Sequence, residues 1–253
     1  MSNEALRADE RLDKVNEQIT LIQKKDGLTF GTDAYLLAAF IKPQKSATAV
    51  ELGAGTGIIS LLLSARERLA HIDAIEIQDD FCELTQRNVD YNGMSDRISV
   101  IHADVREINA SALGKEVDVV FSNPPYMTTD SGKRNSSDRK YIARHEVCGG
   151  IDEFCAAAYR VLKHGGRFYC VWRPDRLTSL ISSMRANRLE PKMLVFVHSD
   201  ASAEPSMVLV SATKGGAEGL RILPPLFMHG SNDNKEMSER AKKIYETMSF
   251  YEE

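Results

Sequence analysis

An α/β fold is predicted by this sequence of 253 residues: a mostly parallel sheet with helices on both faces and an antiparallel hairpin at one edge. Three observations carry that expectation. Short apolar runs rich in Val and Ile alternate with amphipathic helical stretches, which is the pattern of parallel strands joined by covering helices. A glycine-rich turn stands between the first such strand and the helix after it. The last two strands follow one another without a helix, so they pair as a hairpin.

Residues 1–25 are a polar lead-in, read as helical and loosely ordered at its start. Thr32 caps a helix over 33–41 that Pro43 stops. A strand at 48–52 leads through the glycine turn into a helix at 58–66. A strand at 71–77 is followed by an amphipathic helix at Asp79–Tyr91, ended by Asn92-Gly93. The strand Ile98–His102 comes next, then a fourth at 117–121, apolar enough to be buried on both faces. A helix at 152–162 ends before Gly165-Gly166, and a fifth strand, 167–172, precedes a helix at 175–187. The strands 193–198 and 207–212 form the edge hairpin, and 235–248 is a C-terminal helix. The stretch 126–150 carries few structural signals, and long loops of that kind are often functional. The chain divides into a lead-in (1–27), a main domain (28–216) and a C-terminal extension (217–253).

Composition narrows the class. Hydrophobic residues are 43% and charged residues 27%, ordinary for a globular protein. No apolar run approaches the roughly 18–20 residues that cross a bilayer. The charged start, Met1 to Asp13, lacks the apolar core of a secretory signal. Cys82, Cys148, Cys155 and Cys170 form no C-x-x-C pair, so neither a metal site nor a disulfide framework is expected, and a reducing cytoplasmic setting is. Net charge is −4, which excludes a uniformly basic nucleic-acid coat. The charge is uneven: residues 1–132 carry −8 and residues 133–253 carry +4. An acidic half suits a small cation, and a basic half can meet phosphates.

The glycine turn reads Glu51-Leu-Gly53-Ala-Gly55-Thr-Gly57. Its glycines allow a tight turn and a close ligand approach, with helix-start N–H donors nearby. The spacing is not the G-x-G-x-x-G of dinucleotide binding, and Glu51 opposes a pyrophosphate while favouring a cationic ligand. Glu76, at the end of the second strand, can accept from ribose hydroxyls. Asp104, with Val105 beside it, ends the third and can accept from an adenine amino group. All three features fall where open α/β sheets bind ligands.

The fourth strand runs into Ser122-Asn123-Pro124-Pro125-Tyr126. The two prolines remove N–H donors, which leaves the Asn123 side-chain oxygen and the Pro124 carbonyl as acceptors. Tyr126 presents a ring face for stacking. Such a corner accepts both protons of a planar amino group. That returns electron density to a delocalised nitrogen and aims its lone pair at a methyl donor.

With these motifs in this order, the sequence resembles the class I S-adenosylmethionine-dependent methyltransferases over about residues 28–215. That resemblance implies a Rossmann-like sheet of seven strands whose last strand inserts antiparallel between strands five and six, and S-adenosylmethionine as cofactor. Within the class it is similar to the bacterial tRNA1(Val) (adenine(37)-N6)-methyltransferase family. The likeness rests on residues 25–40 (Lys-Asp-Gly-Leu-Thr-Phe-Gly-Thr-Asp-Ala-Tyr-Leu-Leu-Ala-Ala-Phe), residues 143–146 (Ala-Arg-His-Glu), Lys214-Gly-Gly216 and Leu223-Pro-Pro-Leu226. It implies that Phe30 and Thr32 help close over the cofactor and that tRNA, held near its anticodon loop, is the substrate. The polar stretch 128–139 departs from the family pattern in length.

Lys133, Arg134, Arg139, Lys140 and Arg144 follow the Asn-Pro-Pro-Tyr corner and are candidates to grip phosphates around an exposed base. Alternatives stay open. A release-factor-type protein glutamine-N5 methyltransferase or a guanine-N2 enzyme uses the same electronic device. A nicotinamide oxidoreductase is opposed by the glycine spacing, and a non-catalytic RNA module by the intact Asn123 and Tyr126. Monomer and homodimer are both compatible with the sequence.

Overall fold

The computed structural model describes residues 6–25, 31–125, 150–230 and 236–251. A two-stranded hairpin comes first, β1 (Glu10–Lys14) and β2 (Thr20–Lys24), where a helix was expected. Its alternation of buried and exposed residues is that of strands, and Ile19 and Leu21 enter the core. Helix α1 (Thr32–Phe40) follows. Its N-cap is Gly31, which offers no side-chain cap, so Thr32 opens the helix instead of capping it.

The main sheet is built from β3 (Gln44–Leu52), β4 (Leu69–Glu76), β5 (Ile98–His102), β6 (Val117–Ser122), β7 (Leu162–Trp172), β8 (Leu189–His198) and β9 (Pro205–Lys214). The spatial order is β8-β9-β7-β6-β3-β4-β5, and β9 runs antiparallel to both neighbours. The hairpin therefore lies at one edge as expected, with its second strand turned inward beside β7. Two short strands, β10 (Arg221–Ile222) and β11 (Leu226–Phe227), pair with β8 outside the seven long ones.

The helices are α2 (Ile58–Ala65), α3 (Asp79–Tyr91), α4 (Ala110–Leu113), α5 (Ile151–Val161), α6 (Leu177–Ala186) and α7 (Glu239–Thr247). Gly165-Gly166, read as a stop between helix and strand, lies within β7: the strand already starts at Leu162 and bulges against Val117–Val119. Among the described residues no helix is long and apolar enough to cross a membrane.

Alternating strand residues divide into two cores. Ala49, Val119, Phe121, Tyr169 and Val171 pack under α1, α2 and α7. Val50, Val120, Phe168, Cys170 and Val210 pack under α5 and α6. This is the alternation a sheet covered on both faces requires.

Two polar clasps fix the periphery. The first docks the N-terminal hairpin on α3. Asn88 exchanges hydrogen bonds with the Ile22 backbone (2.6 and 3.2 Å) and Asn92 with that of Thr20 (3.0 and 2.8 Å). Buried Glu10 and Arg87 form a two-pronged ion pair at 2.6 and 2.9 Å. In the second clasp, buried Arg68 donates to the backbone carbonyls of Ile41 and Met248, and Tyr35 stacks on Tyr245 with ring centres 4.3 Å apart.

Candidate functional site

Register explains why the motifs converge. Glu51 of β3 pairs with Phe121 of β6, Leu52 with Ile75 of β4, and Glu76 with His102 of β5. Parallel neighbours lie about 4.8 Å apart. The residues just past each strand, Gly53, Asn123 and Asp104, together with Glu76, therefore line one rim at the C-terminal edge of the sheet. Ser122 Oγ donates to Leu52 O at 2.7 Å and stitches the two central corners together.

The glycine turn is built from within. Gly53 and Ala54 N–H both donate to Ile75 O at 2.9 Å, Gly55 N–H to Glu76 Oε2 at 2.9 Å, and Gly57 N–H to Ala54 O at 2.9 Å. Sequence reasoning expected open helix-start donors. Three of these four amides serve Ile75 and Glu76 of β4 and one serves Ala54 within the turn; the helix-start amides proper begin at Ile58, after the Gly57 cap. Gly55 has φ +59 and a side chain there would meet nothing within 4 Å, so it marks the open face of the turn. Gly57 has φ +78, and a side chain there would stand 2.8 Å from Thr85 Cγ2, so α3 backs the turn from below. Thr85 Oγ1 donates to Gly55 O at 2.6 Å and Asn88 Nδ2 to Thr56 O at 3.0 Å.

Glu76 is buried. Its Oε1 accepts from Ile77 and Gln78 N–H at 3.0 and 2.9 Å. With Gly55 on Oε2, three of four lone-pair directions are engaged by these backbone donors. Glu51 is fully buried, and its Oε2 accepts from Ser60 Oγ and, at 3.2 Å, from Ser60 N–H. Burial pushes its carboxyl up to about 8, against the Ser60 hydrogen bonds and aided by the neighbouring Glu76 carboxylate. The negative charge expected of Glu51 is thus largely neutralised by a proton near neutral pH, and a nearby cation would draw it out.

Asp104 departs further from expectation. Arg106 grips its carboxylate through the guanidinium and through a backbone N–H at 2.8 Å, which holds it below the usual range. An adenine amino group there would have to share those acceptors. Val105 is buried in the second core and its carbonyl accepts from Arg160 at 2.8 Å.

The corner after β6 meets a residue of α1, Asp33, that motif reading did not single out. Asn123 Nδ2 donates to Asp33 Oδ2 at 2.8 Å, across 90 positions of sequence. Asp33 and Thr32 also line a cleft of about 680 Å³, bounded by Arg173, Pro174, Asp175, Glu204 and residues 205–207 at the start of β9. The Tyr35 hydroxyl donates to Tyr245 O at 2.6 Å, so α7 braces α1. Pro124 is buried and Pro125 half-buried. Tyr126, Phe30, Lys133, Arg134, Arg139, Lys140 and Arg144 lie outside the described residues.

The rim fits a nucleoside with a cationic side arm. The turn is open at Gly55, the buried Glu76 carboxylate stands at the rim, and Glu51 stands beside the turn with its carboxyl pushed up to about 8. No amide cradle for phosphates is needed.

Known proteins agree with this architecture. The family model of the methyltransferase small domain matches residues 24–187. A protein of Phocaeicola vulgatus named tRNA1(Val) (adenine(37)-N6)-methyltransferase is 31% identical over 195 residues, 77% of this chain and 81% of that protein. A Bacteroides fragilis protein of the same name is 29% identical over 219 residues, covering 86% and 91%. Among solved structures, a predicted O-methyltransferase from Agrobacterium tumefaciens superposes with a TM-score of 0.71 at 21% identity over 87% of this chain and 98% of that one. TYW2 of M. jannaschii in complex with AdoMet gives 0.56 at 14%, over 82% and 86%. These two likenesses are of fold. From the matched model and the first relative together, the chain belongs to the methyltransferase small domain family.

Proposed function

We propose that the protein methylates the exocyclic N6 of an adenine in tRNA with S-adenosylmethionine as donor, and that the target is adenine 37 beside the anticodon of a valine tRNA, as the names of its relatives read. The observation that carries the reading is the register that sets Asn123, one strand over, beside the glycine turn. The bound cofactor supplies an electrophilic methyl group on a sulfonium.

The chain's own residues do the rest. Glu76 receives a ribose hydroxyl on its remaining lone pair, and Glu51 and the open face at Gly55 receive the cationic arm. Thr32 and Phe30 close the entrance. Asn123 Oδ1 and the Pro124 carbonyl accept hydrogen bonds from the two amino N–H groups, so the nitrogen lone pair is turned out of conjugation and toward the methyl group; as the methyl–sulfur bond breaks and S-adenosylhomocysteine leaves, the nitrogen gives up one proton to solvent. Alignment at about 3–3.5 Å then supplies much of the rate. Pro125 stiffens the corner and Tyr126 supplies the stacking face. Lys133, Arg134, Arg139, Lys140 and Arg144, which follow Tyr126 in the chain, contact phosphates of an anticodon loop, where an unstacked base is cheap to present.

The test is mass spectrometry of nucleosides. Total tRNA from a strain lacking this protein is incubated with the enzyme and S-adenosylmethionine. N6-methyladenosine must appear. N2-methylguanosine, or methyl incorporation only into protein, would overturn the substrate assignment.

A further inference from the structure

We infer that Asp33 is a positioning residue of the methyl-transfer corner: its carboxylate selects which way round the Asn123 amide sits. The inference rests on the reading of Asn123 as the amino-group acceptor. An asparagine side chain has a donor limb and an acceptor limb of nearly equal shape, and only the acceptor limb can take an amino proton. Without a discriminating neighbour, the two orientations differ little in energy. A carboxylate only accepts, so the 2.8 Å contact from Nδ2 to Asp33 Oδ2 admits one orientation and turns Oδ1 to the other limb. Donation from Nδ2 to a carboxylate also keeps the amide from offering that N–H to the substrate amine, where donor would face donor.

A second observation concerns the backbone that holds Asp33. Gly31 precedes it at the helix cap, and a side chain on Gly31 would stand 2.5 Å from Asp33 Oδ1. The carboxylate is thus folded over residue 31, in space that glycine leaves open. Asp33 also lines the cleft between α1, Arg173–Asp175 and Glu204–Met207. One side chain therefore touches both the corner and the cavity beside it. An acidic first-turn residue suits the helix start, but that role needs no contact with Asn123.

Two arms test the assignment. In the kinetic arm, Asp33→Ala lowers kcat for N6-methyladenosine formation roughly 10- to 100-fold, the equivalent of losing one charge-assisted hydrogen bond. The KM values for S-adenosylmethionine and tRNA stay within about threefold. Gly31→Ala, which displaces the carboxylate without removing it, falls between wild type and Asp33→Ala. Asn123→Asp sets two carboxylates face to face and is slow. The exchanged pair Asp33→Asn with Asn123→Asp restores one donor and one outward acceptor, and is at least about tenfold faster than Asn123→Asp alone. A merely structural role for Asp33 predicts no such rescue.

The second arm is independent of activity. Side-chain amide NMR of the full chain shows the Asn123 protons with one shifted downfield and slow to exchange, and Asp33→Ala abolishes that signature while S-adenosylhomocysteine binding certifies the fold. If Asp33→Ala keeps kcat within twofold, if the exchanged pair is no faster than Asn123→Asp, or if the Asn123 signal ignores Asp33, the inference is wrong. Wild-type enzyme that makes no N6-methyladenosine would instead sink the functional reading, and the NMR arm would still decide the contact.

Discussion

The rim has two halves, and they are assembled differently. The half assigned to the cofactor is stitched by contacts of shorter sequence separation: Ser60 to Glu51 across 9 positions, Gly55 to Glu76 across 21, Thr85 to Gly55 across 30. The half assigned to the acceptor is stitched by Ser122 to Leu52 across 70 and Asn123 to Asp33 across 90. The first pairs side chains with backbone groups of the glycine turn and of the α2 start, so its geometry follows from glycines and strand ends. The second joins the Ser122 hydroxyl to a backbone carbonyl and the Asn123 amide to the Asp33 carboxylate, and its geometry follows from the fold. Chemistry that must hold a cofactor is local here, and chemistry that must orient an amine is not.

The sharpest way to separate the halves is Asn123→Ala. It removes an acceptor used only when the amine reacts, so kcat falls at least about a thousandfold, roughly 4 kcal/mol. Cofactor affinity by calorimetry changes by no more than about threefold. A loss confined to cofactor binding would move Asn123 to the other half.

Next in size is the substrate grip. Replacing Lys133, Arg134, Arg139 and Lys140 together with alanine weakens tRNA binding about 10- to 100-fold and lowers the slope of log K against log salt by up to about 0.7 per lost phosphate contact. Cofactor affinity is unaffected. An unchanged slope would remove this run from the interface.

Within the cofactor half, two glycines should behave oppositely. Gly57→Ala puts a methyl group 2.8 Å from Thr85 Cγ2 in a left-handed backbone, costing about 2–3 kcal/mol and several degrees of Tm. Gly55→Ala meets nothing within 4 Å and costs only about 1–2 kcal/mol, yet its methyl group fills the open face and weakens cofactor binding at least about tenfold. Undiminished affinity in Gly55→Ala would place the ligand on another face of the turn.

The same contrast explains what could be read from sequence. The β/α alternation, the strand-end carboxylates and the glycine turn were legible because each is a local pattern, and α3 spans Asp79–Tyr91 as periodicity predicts. The N-terminal hairpin was not. Its residues Thr20–Lys24 mix polar and apolar side chains without a helical stripe, and its docking depends on Asn88, Asn92 and Arg87 far along the chain. Asp33 was visible only as an acidic residue at a helix start. Nothing in its spacing reveals the approach to Asn123, which arises from β6 lying beside β3 under α1. Arg106 competes for the acceptors of Asp104, a contact two residues on that the spacing of strand-end carboxylates does not reveal.

The smallest effect concerns Glu51, and it tests whether the cofactor half is electrostatically poised. Its carboxyl is raised from the ordinary 4.5 to about 8, so the folded protein holds a proton that the unfolded chain releases. The stability it contributes is complete below about 4.5 and is lost as pH rises through about 8. Wild-type Tm should therefore fall between pH 5.5 and 9 by a few degrees more than that of Glu51→Gln. Binding of a cationic cofactor favours the ionised form, so at pH 7 association releases up to about one proton, seen as a dependence of calorimetric heat on buffer ionisation enthalpy. Glu51→Gln removes that release. Equal proton release in both proteins would mean that the cation does not sense Glu51, and the carboxyl would then serve only to hold Ser60 at the start of α2.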